Sequence, residues 1–385
     1  MIPRRVPWRV VPLLCALALS ACDAARQASA SAAPRTEAQL QTIARGLEHP
    51  WAVALLDDGS FLVTERPGRL RRISADGVVS PPIAGVPKVW AHGQAGLLDL
   101  VLAPDFASSH RLYFTYVEPA GDGSSRTTAA TATLRGDALS GLQVLYREAP
   151  AMSGEANFGS RLALDDGHVF ITQGDRFAPR MRAQQLSASE GKLMRLDVDG
   201  SVPDDNPFVG RKDALPQTWS YGHRNSQGLV FDPRTGTLWE SEHGPRGGDE
   251  INLPRPGSNY GWPIASFGMD YATDRPYPDT VGTSAPGTQP PHHVWRKSPG
   301  LSGMAFLAGH PELAWNNSLF LGALADRNLI RLSLDGDRIV AEERLLGELG
   351  ARIRDVRVGR EGDVYVLTDE DDGRLLRLRP PAAAN

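Results

Sequence analysis

Short apolar segments alternate with turn residues along most of the chain. From about residue 40 onward, short runs rich in Val, Ile, Leu, Phe and Tyr recur between clusters of Gly, Asp and Pro. No stretch keeps a 3.6-residue apolar period for long, whereas short apolar runs bounded by such residues are typical of β-strands. The pattern therefore predicts an all-β protein.

One unit of this pattern is repeated. An apolar strand is followed by a turn carrying Asp, Pro or Gly, and then by a second apolar strand that ends in Thr, Ser or a polar loop. Six copies begin at Trp51, Gly96, Ser160, Gln227, Ser302 and Ile353. A single four-stranded blade cannot bury both of its faces, and radial stacking closes the core while leaving only short edges. We therefore predict a six-bladed β-propeller over residues 39–380, with a large sandwich or two β domains as the alternative packing.

The spacing of the six units predicts long loops at one face. Successive units begin 45, 64, 67, 75 and 51 residues apart, and several of these intervals exceed the roughly 40–50 residues of compact propeller repeats. The longest insertion, at about residues 263–300, is rich in Pro and Tyr. Because long ordered loops on a rigid scaffold usually carry binding sites, we expect the functional site there.

The N-terminus has the layout of an export signal. Three arginines precede an apolar stretch from Val10 to Leu19, which at roughly ten residues is too short for a membrane span of about 20. Leu19-Ser20-Ala21-Cys22 resembles a bacterial lipobox. We predict a lipoprotein signal peptide at residues 1–21, a lipid on Cys22, a flexible tether at 22–38 and a C-terminal tail at 381–385. The protein would then be anchored on the periplasmic side of a bacterial membrane; in the alternative, the signal is an ordinary cleaved one and Cys22 is incidental.

Charge and cysteine content exclude two protein classes. The chain has 41 Lys and Arg against 45 Asp and Glu, a formal charge of −4, so it lacks the excess of positive charge with which proteins bind nucleic acid. Both of its two cysteines lie within the first 22 residues, so no disulfide framework holds the fold.

The densest polar segment spans residues 219–263. It contains the pair Arg224-Asn225, the sequence GPRGGDEIN and the sequence NYGWP. Glycines let the backbone turn its carbonyls and amides toward a ligand, and Asp249 and Glu250 supply hard oxygen atoms suited to Ca²⁺. From composition alone, a polar network that stabilises turns explains the segment equally well.

Further motifs complete a family resemblance. Together with GPRGGDEIN and NYGWP, the segments at residues 93–99, 191–193, 204–208 and 352–356 resemble the soluble PQQ-dependent aldose sugar dehydrogenases of the glucose/sorbosone dehydrogenase family. The resemblance covers nearly all of residues 40–380. It implies a six-bladed propeller that holds PQQ in a cleft at one face, with Ca²⁺ bridging cofactor and protein. It also implies that a His base takes the proton of the sugar C1 hydroxyl while hydride passes from C1 to the quinone, giving the lactone.

The resemblance also assigns roles to individual residues. It implies that Asp175 and Asp249 are acidic neighbours of the reaction centre and that Arg224 and Asn225 lie at the quinone edge. The other implied cofactor contacts are Gln94, His243, Arg352 and Arg354. The implied calcium ligands are the backbone carbonyls of Gly244 and Pro245, and a structural calcium site at Glu250 and Tyr260.

Two positions depart from the family pattern. Asn157 stands where the family has its catalytic His, and an amide cannot act as a general base at neutral pH. Ala325 stands where the family has a Lys that contacts PQQ. Asp249 or His243 is the candidate substitute base, with Asp175 and His223 close by in the motif loops and a water relayed by Asn157 as a further possibility. Arg327 is the candidate substitute cation.

These observations predict an oxidoreductase that oxidises aldose sugars at C1, using PQQ and Ca²⁺. The expected partners are a small sugar and a quinone or redox-carrier acceptor, and the expected state is a monomer or homodimer without nucleic acid. Two alternatives remain open because the His base is absent. One is a catalytically impaired propeller that binds sugar or PQQ, and the other is a calcium-dependent lactonase on the same fold.

Overall fold

The structure, a computed structural model, describes residue 1, residues 37–177 and residues 179–383. The predicted signal peptide beyond residue 1, Cys22 and nearly all of the predicted tether lie outside the described residues. The described chain is almost entirely β, with a one-turn helix at Phe106–Ser109 and 3₁₀ helices at Arg180–Gln184 and Gly347–Leu349. Within it, no helix is long and apolar enough to cross a membrane.

Twenty-three strands of the described residues form six antiparallel sheets. Blade 1 contains β2 (Pro50–Leu55), β3 (Phe61–Glu65) and β4 (Arg69–Ile73). Blade 2 contains β5 (Leu97–Leu102), β6 (Arg111–Pro119), β7 (Ser125–Arg135) and β8 (Ala138–Arg147). Blade 3 contains β9 (Gly159–Leu164), β10 (His168–Gln173), β11 (Lys192–Asp197) and β12 (Thr218–Tyr221). Blade 4 contains β13 (Ser226–Phe231), β14 (Leu238–Glu242), β15 (Asp249–Asn252) and β16 (His293–Trp295). Blade 5 contains β17 (Leu301–Leu307), β18 (Ser318–Ala323), β19 (Asn328–Asp335) and β20 (Arg338–Leu345). Blade 6 contains β21 (Ile353–Val358), β22 (Val364–Thr368), β23 (Gly373–Arg379) and, from the start of the chain, β1 (Gln39–Leu47).

The six blades form a closed ring. The first strand of each blade after β1, namely β2, β5, β9, β13, β17 and β21, contacts the corresponding strand of the next blade, and β21 contacts β2. Blade 6 is completed by both ends of the propeller, because β1 pairs with β23 from Gln39↔Arg379 to Leu47↔Gly373. The prediction of a six-bladed β-propeller is therefore confirmed. The predicted C-terminal tail is partly paired, since Ala382 forms a β-bridge with Leu313.

The hydrophobic core lies between the blades. Each of the six large apolar clusters joins two neighbouring sheets: Trp51 packs with Leu100 between blades 1 and 2, and Val53 packs with Leu367 where blade 6 meets blade 1. A blade alone would expose both of these apolar faces, so burial of apolar surface is what holds the ring together.

Buried charges fill the centre of the ring. The guanidinium of Arg161 lies 3.1 Å from Asp99 and 2.9 Å from Asp355, and that of Arg357 lies 3.0 and 3.2 Å from the same two carboxylates. The Arg161 guanidinium also stacks 4.0 Å from the centre of the Trp51 ring. Two cations therefore balance two anions, and the network links blades 1, 2, 3 and 6.

Candidate active site

A cleft opens at the face where the innermost strands begin. A cavity of about 260 Å³ is lined there by Trp51, Leu98, Gly159, Gln227 and Arg354. A neighbouring cavity of about 480 Å³ is lined by Gly244, Pro245 and Asp249, and both cavities share His243, Gly300 and Ala325. The structure thus brings the GPRGGD segment and the Arg352–Arg354 segment together in one cleft.

Arginines dominate one wall of this cleft. Arg354 lies 2.7 Å and Arg352 lies 3.4 Å from the same carboxylate oxygen of Asp369. Burial works to raise the pKa of Asp369, but the charge of Arg354 and its hydrogen bond outweigh burial and hold that pKa well below its usual range. The Nε of Arg354 is buried and has no hydrogen-bond partner among the residues that the structure describes. The wall therefore retains capacity for a further anion.

Asn157 and Asp175 form a buried pair beside the cleft, next to Phe158 and Gly159, which line its first cavity. The Asn157 amide donates from Nδ2 to Asp175 Oδ1 over 2.9 Å, and the same carboxylate accepts bonds from the Phe177 backbone N–H and from Trp262 Nε1. Burial raises the pKa of Asp175, while the charge of Arg224 opposes the shift. Both carboxylate oxygens are occupied by donors, and no donor of the described residues reaches Asn157 Oδ1, which is left as the acceptor of this side chain.

Arg224 is held beneath the GPRGGD turn. Its Nη1 donates to the carbonyl oxygens of His243, at 3.0 Å, and Gly244, at 2.7 Å, while its Nε is buried without a partner. A Cβ at Gly244 would lie 2.3 Å from the carbonyl oxygens of Gly247 and Gly248. Only glycine therefore fits the start of this turn, and the turn fixes where the Gly244 carbonyl points.

Both ring nitrogens of His243 are engaged. Nε2 lies 2.5 Å from the carbonyl oxygen of Leu301, so it must carry the hydrogen, and Nδ1 accepts from Asn225 Nδ2 at 3.2 Å. Burial lowers the pKa of His243, although Asp249 works against the shift. A neutral ring with both nitrogens bonded would have to release Asn225 before it could take a proton.

Asp249 joins two turns of the cleft. Its carboxylate accepts backbone N–H bonds from Gly244 at 3.0 Å, Gly300 at 2.8 Å and Leu301 at 3.1 Å. These three amides stabilise the carboxylate anion. In this arrangement Asp249 anchors the Gly244 turn, and its oxygens do not point freely at a substrate.

Gln94, the last of the predicted cofactor contacts, lines the same cavity. Its side-chain Oε1 accepts the backbone N–H of Asn157 at 2.9 Å, and its own backbone N–H donates to the Glu155 carbonyl at 2.8 Å. Gln94 therefore fixes the backbone of the Asn157 loop as well as facing the cleft.

Three glutamates crowd behind the cleft. Glu240 and Glu242 are buried on one strand and the partly buried Glu250 lies on the next, and His223 Nδ1 lies 3.3 Å from Glu242. Burial and the neighbouring carboxylates raise the pKa of Glu240 and of Glu250. One Glu240 oxygen is buried without a hydrogen-bond partner, and the Tyr260 ring stacks 4.9 Å from that of His223.

Sequence reasoning identified Glu250 and Tyr260 but missed Glu240 and Glu242 as possible metal ligands. Ligand atoms of His223, Glu240 and Glu242 lie within 4.8 Å of one another. The available signal was Glu-Ser-Glu in a strand, because alternate strand residues point to the same face.

The rim of the cleft carries exposed aromatic rings. Phe177 is 55% exposed and Tyr271 is 49% exposed, yet both rings lie near the Arg224 guanidinium, at 5.4 and 6.0 Å from ring centre to Cζ. The buried Trp262 ring lies 5.3 Å from the same carbon. Arg327, the candidate replacement cation, instead donates to the Gly350 carbonyl and does not line the cavity.

Comparison with known proteins decides the family. The profile described as Glucose / Sorbosone dehydrogenase matches residues 47–377. The chain belongs to this family. It is 44% identical over 353 residues to a protein of Escherichia coli (strain K12) named Aldose sugar dehydrogenase YliI, covering 91% of this chain and 94% of that relative.

Solved structures of this glucose/sorbosone dehydrogenase family share the fold. A crystal structure of a glucose dehydrogenase is 50% identical with a TM-score of 0.86, covering 90% of this chain and all of the other. A PQQ-bound aldose sugar dehydrogenase from Streptomyces coelicolor is 27% identical with a TM-score of 0.72, again covering 90% of this chain and all of the other. The resemblance found in the sequence is confirmed at the level of family and fold, while the roles of individual residues stay predictions.

Proposed function

We propose that this protein is a dehydrogenase that oxidises aldose sugars at C1 to the lactone, using PQQ and Ca²⁺ and passing electrons to a quinone or redox carrier. One observation supports it above the others. A single cleft brings the arginines of residues 352–354 and the Gly244 turn together, and the Asn157–Asp175 pair lies next to Phe158 and Gly159, which line it. Membership of the family, with a PQQ-bound relative of the same fold, makes this chemistry the natural expectation.

The cleft residues fit a tricarboxylate cofactor. Arg352 and Arg354 face the cavity with one carboxylate, Asp369, between them, and the unpartnered Nε of Arg354 is a buried donor that a bound anion would satisfy. Arg224 and Asn225 would lie at the quinone edge. When bound, PQQ would supply the carbon that accepts hydride.

The residues present also fit calcium. The Gly244 carbonyl oxygen accepts one bond from Arg224, which leaves its second lone pair for a cation, and Pro245 lies beside it. The Glu240, Glu242 and Glu250 carboxylates, with an unpartnered oxygen on Glu240, offer a second set of hard oxygen atoms. We assign the first position to cofactor binding and the second, with Tyr260, to a structural calcium.

A sugar would enter over the aromatic rim. Phe177 and Tyr271 offer apolar ring faces for a pyranose, and Asn157 Oδ1 would accept a hydrogen bond from the C1 hydroxyl. Because the amide cannot keep the proton, a water held at Asn157 would carry it away. This predicts slower turnover than a histidine would give, since a general base typically contributes about 10²–10⁴ in rate.

A second function has its own support. The engaged nitrogens of His243, the three amides on Asp249 and the three donors on Asp175 leave no obvious base among the described residues of the cleft. A protein that binds PQQ and sugar without turnover would have this arrangement.

We place the protein on the periplasmic side of a bacterial membrane, held by a lipid on Cys22. The lipobox-like sequence before Cys22 supports this placement. Labelled palmitate should be incorporated into the wild-type protein and not into Cys22→Ser; equal labelling of both would reject the anchor.

Reconstitution distinguishes the functions. Purified protein is incubated with PQQ and Ca²⁺, and dye reduction is followed with a panel of aldoses, while lactone opening is followed without PQQ. Sugar-dependent dye reduction supports the dehydrogenase, PQQ binding without dye reduction supports the binding protein, and PQQ-independent lactone opening rejects both.

A further inference from the structure

Arg66 faces the same cavity as the two arginines assigned to the cofactor. It directly follows β3 in blade 1 and lines the cavity together with Arg352 and Arg354. No motif of the sequence singles it out, because it lies almost 300 residues from the Arg352 segment. The ring closure of the propeller is what brings them together.

The position of Arg66 is fixed by the glycine-rich segment that contains Gln94. Its Nη1 donates to the Gly93 carbonyl at 2.8 Å, and its own carbonyl accepts the Leu97 N–H at 3.1 Å. A Cβ on Gly96 would lie 2.3 Å from Arg66 Cγ. Gly96 therefore leaves the space through which the arginine side chain passes, and the guanidinium is oriented before any ligand arrives.

Arg66 lacks the acidic partner that its neighbours have. Arg352 and Arg354 share the Asp369 carboxylate. Within residues 37–177 and 179–383, no carboxylate lies within 4.0 Å of the Arg66 guanidinium, and its side-chain bond to Gly93 goes to a neutral carbonyl. Three guanidinium groups thus line this cavity with one carboxylate, that of Asp369, and Arg66 is the guanidinium that forms no ion pair with it.

Ala325 lines the junction of the two cavities. Its methyl group cannot balance a carboxylate of the cofactor.

We propose that Arg66 binds a carboxylate of PQQ and supplies the positive charge that Ala325 does not. This inference rests on the proposed use of PQQ. The planar guanidinium of Arg66 can donate two parallel hydrogen bonds to a carboxylate, which a lysine cannot do.

The test measures PQQ affinity directly, by equilibrium dialysis of the metal-loaded protein without any substrate. Arg66→Ala should weaken PQQ binding about 10- to 100-fold, the loss typical of one hydrogen bond between charged groups. Arg66→Lys, which keeps the charge but loses the fork, should lie between Arg66→Ala and wild type. Arg327→Ala is the matched control, an exposed arginine outside the cavity, and should bind PQQ as wild type does. Adding Ala325→Lys to Arg66→Ala should restore most of the affinity.

Binding of a neutral ligand distinguishes loss of carboxylate recognition from damage to the loop that holds Arg66. Wild type and Arg66→Ala should bind the trimethyl ester of PQQ equally, because no carboxylate is left to lose. An Arg66→Ala protein that binds PQQ within twofold of wild type, or that loses ester and acid affinity alike, would overturn the role of Arg66 and leave the proposed function intact. A wild-type protein that does not bind PQQ would overturn both.

Discussion

Placing a histidine at position 157 should raise the rate of sugar oxidation. The backbone permits the change, because Asn157 has a φ of +56°, a region in which Asn and His are several-fold enriched among non-glycine residues. Histidine Nδ1 branches from Cγ as asparagine Nδ2 does. A histidine side chain at this position can therefore keep the 2.9 Å hydrogen bond to Asp175 through Nδ1 and direct Nε2 into the cleft.

The size of the gain follows from the group that is added. A positioned general base contributes about 10²–10⁴ in rate, and the Asp175 carboxylate would stabilise the imidazolium that forms. Burial of the pair works against the charged ring, so we expect the low end, about a 10²-fold increase in kcat for Asn157→His.

The assay is dye reduction with saturating PQQ, Ca²⁺ and glucose, measured from pH 5 to 9. Asn157→His should gain a rise in kcat with pH as the imidazole, with an ordinary pKa of about 6.5, loses its proton. Asn157→Gln adds bulk without a base and is the matched control. Asp175→Asn placed in the Asn157→His background should remove most of the gain, because it removes the group that orients the ring.

One result would refute this reasoning. If Asn157→His binds PQQ as tightly as wild type but its kcat stays within twofold at every pH, position 157 does not face the C1 hydroxyl, or another base already suffices.

Three further predictions concern the ring, a buried ion pair and the rim. Arg161→Met leaves Asp99 and Asp355 with Arg357 as their one ion-pair partner among the described residues. It should lower the free energy of unfolding by about 3–5 kcal/mol in urea titration, and a loss below about 1 kcal/mol would show that the axial network is not stabilising. Burial raises the pKa of Glu148 from 4.5 to about 7 despite its partner Arg176. The folded state therefore holds this proton more tightly than the unfolded chain, and its contribution to stability is present below pH 4.5 and lost as pH rises toward 7. The thermal denaturation midpoint of wild type should therefore fall between pH 4.5 and about 7, and in Glu148→Gln this fall should be smaller. An equal fall in both proteins would contradict the raised pKa of Glu148. Phe177→Ala should raise KM for glucose several-fold with PQQ affinity unchanged, while the exposed Val209→Ala serves as the control; equal KM values would exclude stacking on Phe177.

The sequence predicted those parts of the fold that neighbouring residues encode. The apolar runs beginning at Trp51 and Gly96 mark the innermost strands of two blades, because a strand and its turn are encoded within about fifteen residues. The pairing of β1 with β23 had no local signal. It joins residues such as Leu40 and Leu378, which are neighbours only once the ring exists.

The site was predictable to the extent that its motifs are contiguous. The GPRGGDEIN segment indicated Gly244 and Asp249 as cleft residues, and both line it. Asp249 and His243 are also engaged by Gly300 and Leu301, which lie 51 to 58 residues away along the chain. The sequence could not show these contacts, so it could not show that the two candidate bases are engaged. The sequence did not indicate Arg66, because a lone arginine directly after a strand has the pattern of a surface residue.

The pairing of β1 with β23 has a consequence for how the chain reaches its native state. The two strands come from opposite ends of the propeller, so a ribosome must deliver nearly the entire polypeptide before blade 6 can form. Until then the growing chain is an open arc with an unpaired sheet edge at its end, a state prone to association with other chains. Loss of β1 or β23 should therefore reopen the ring. A short deletion at either end would weaken the interface between the first and last blades.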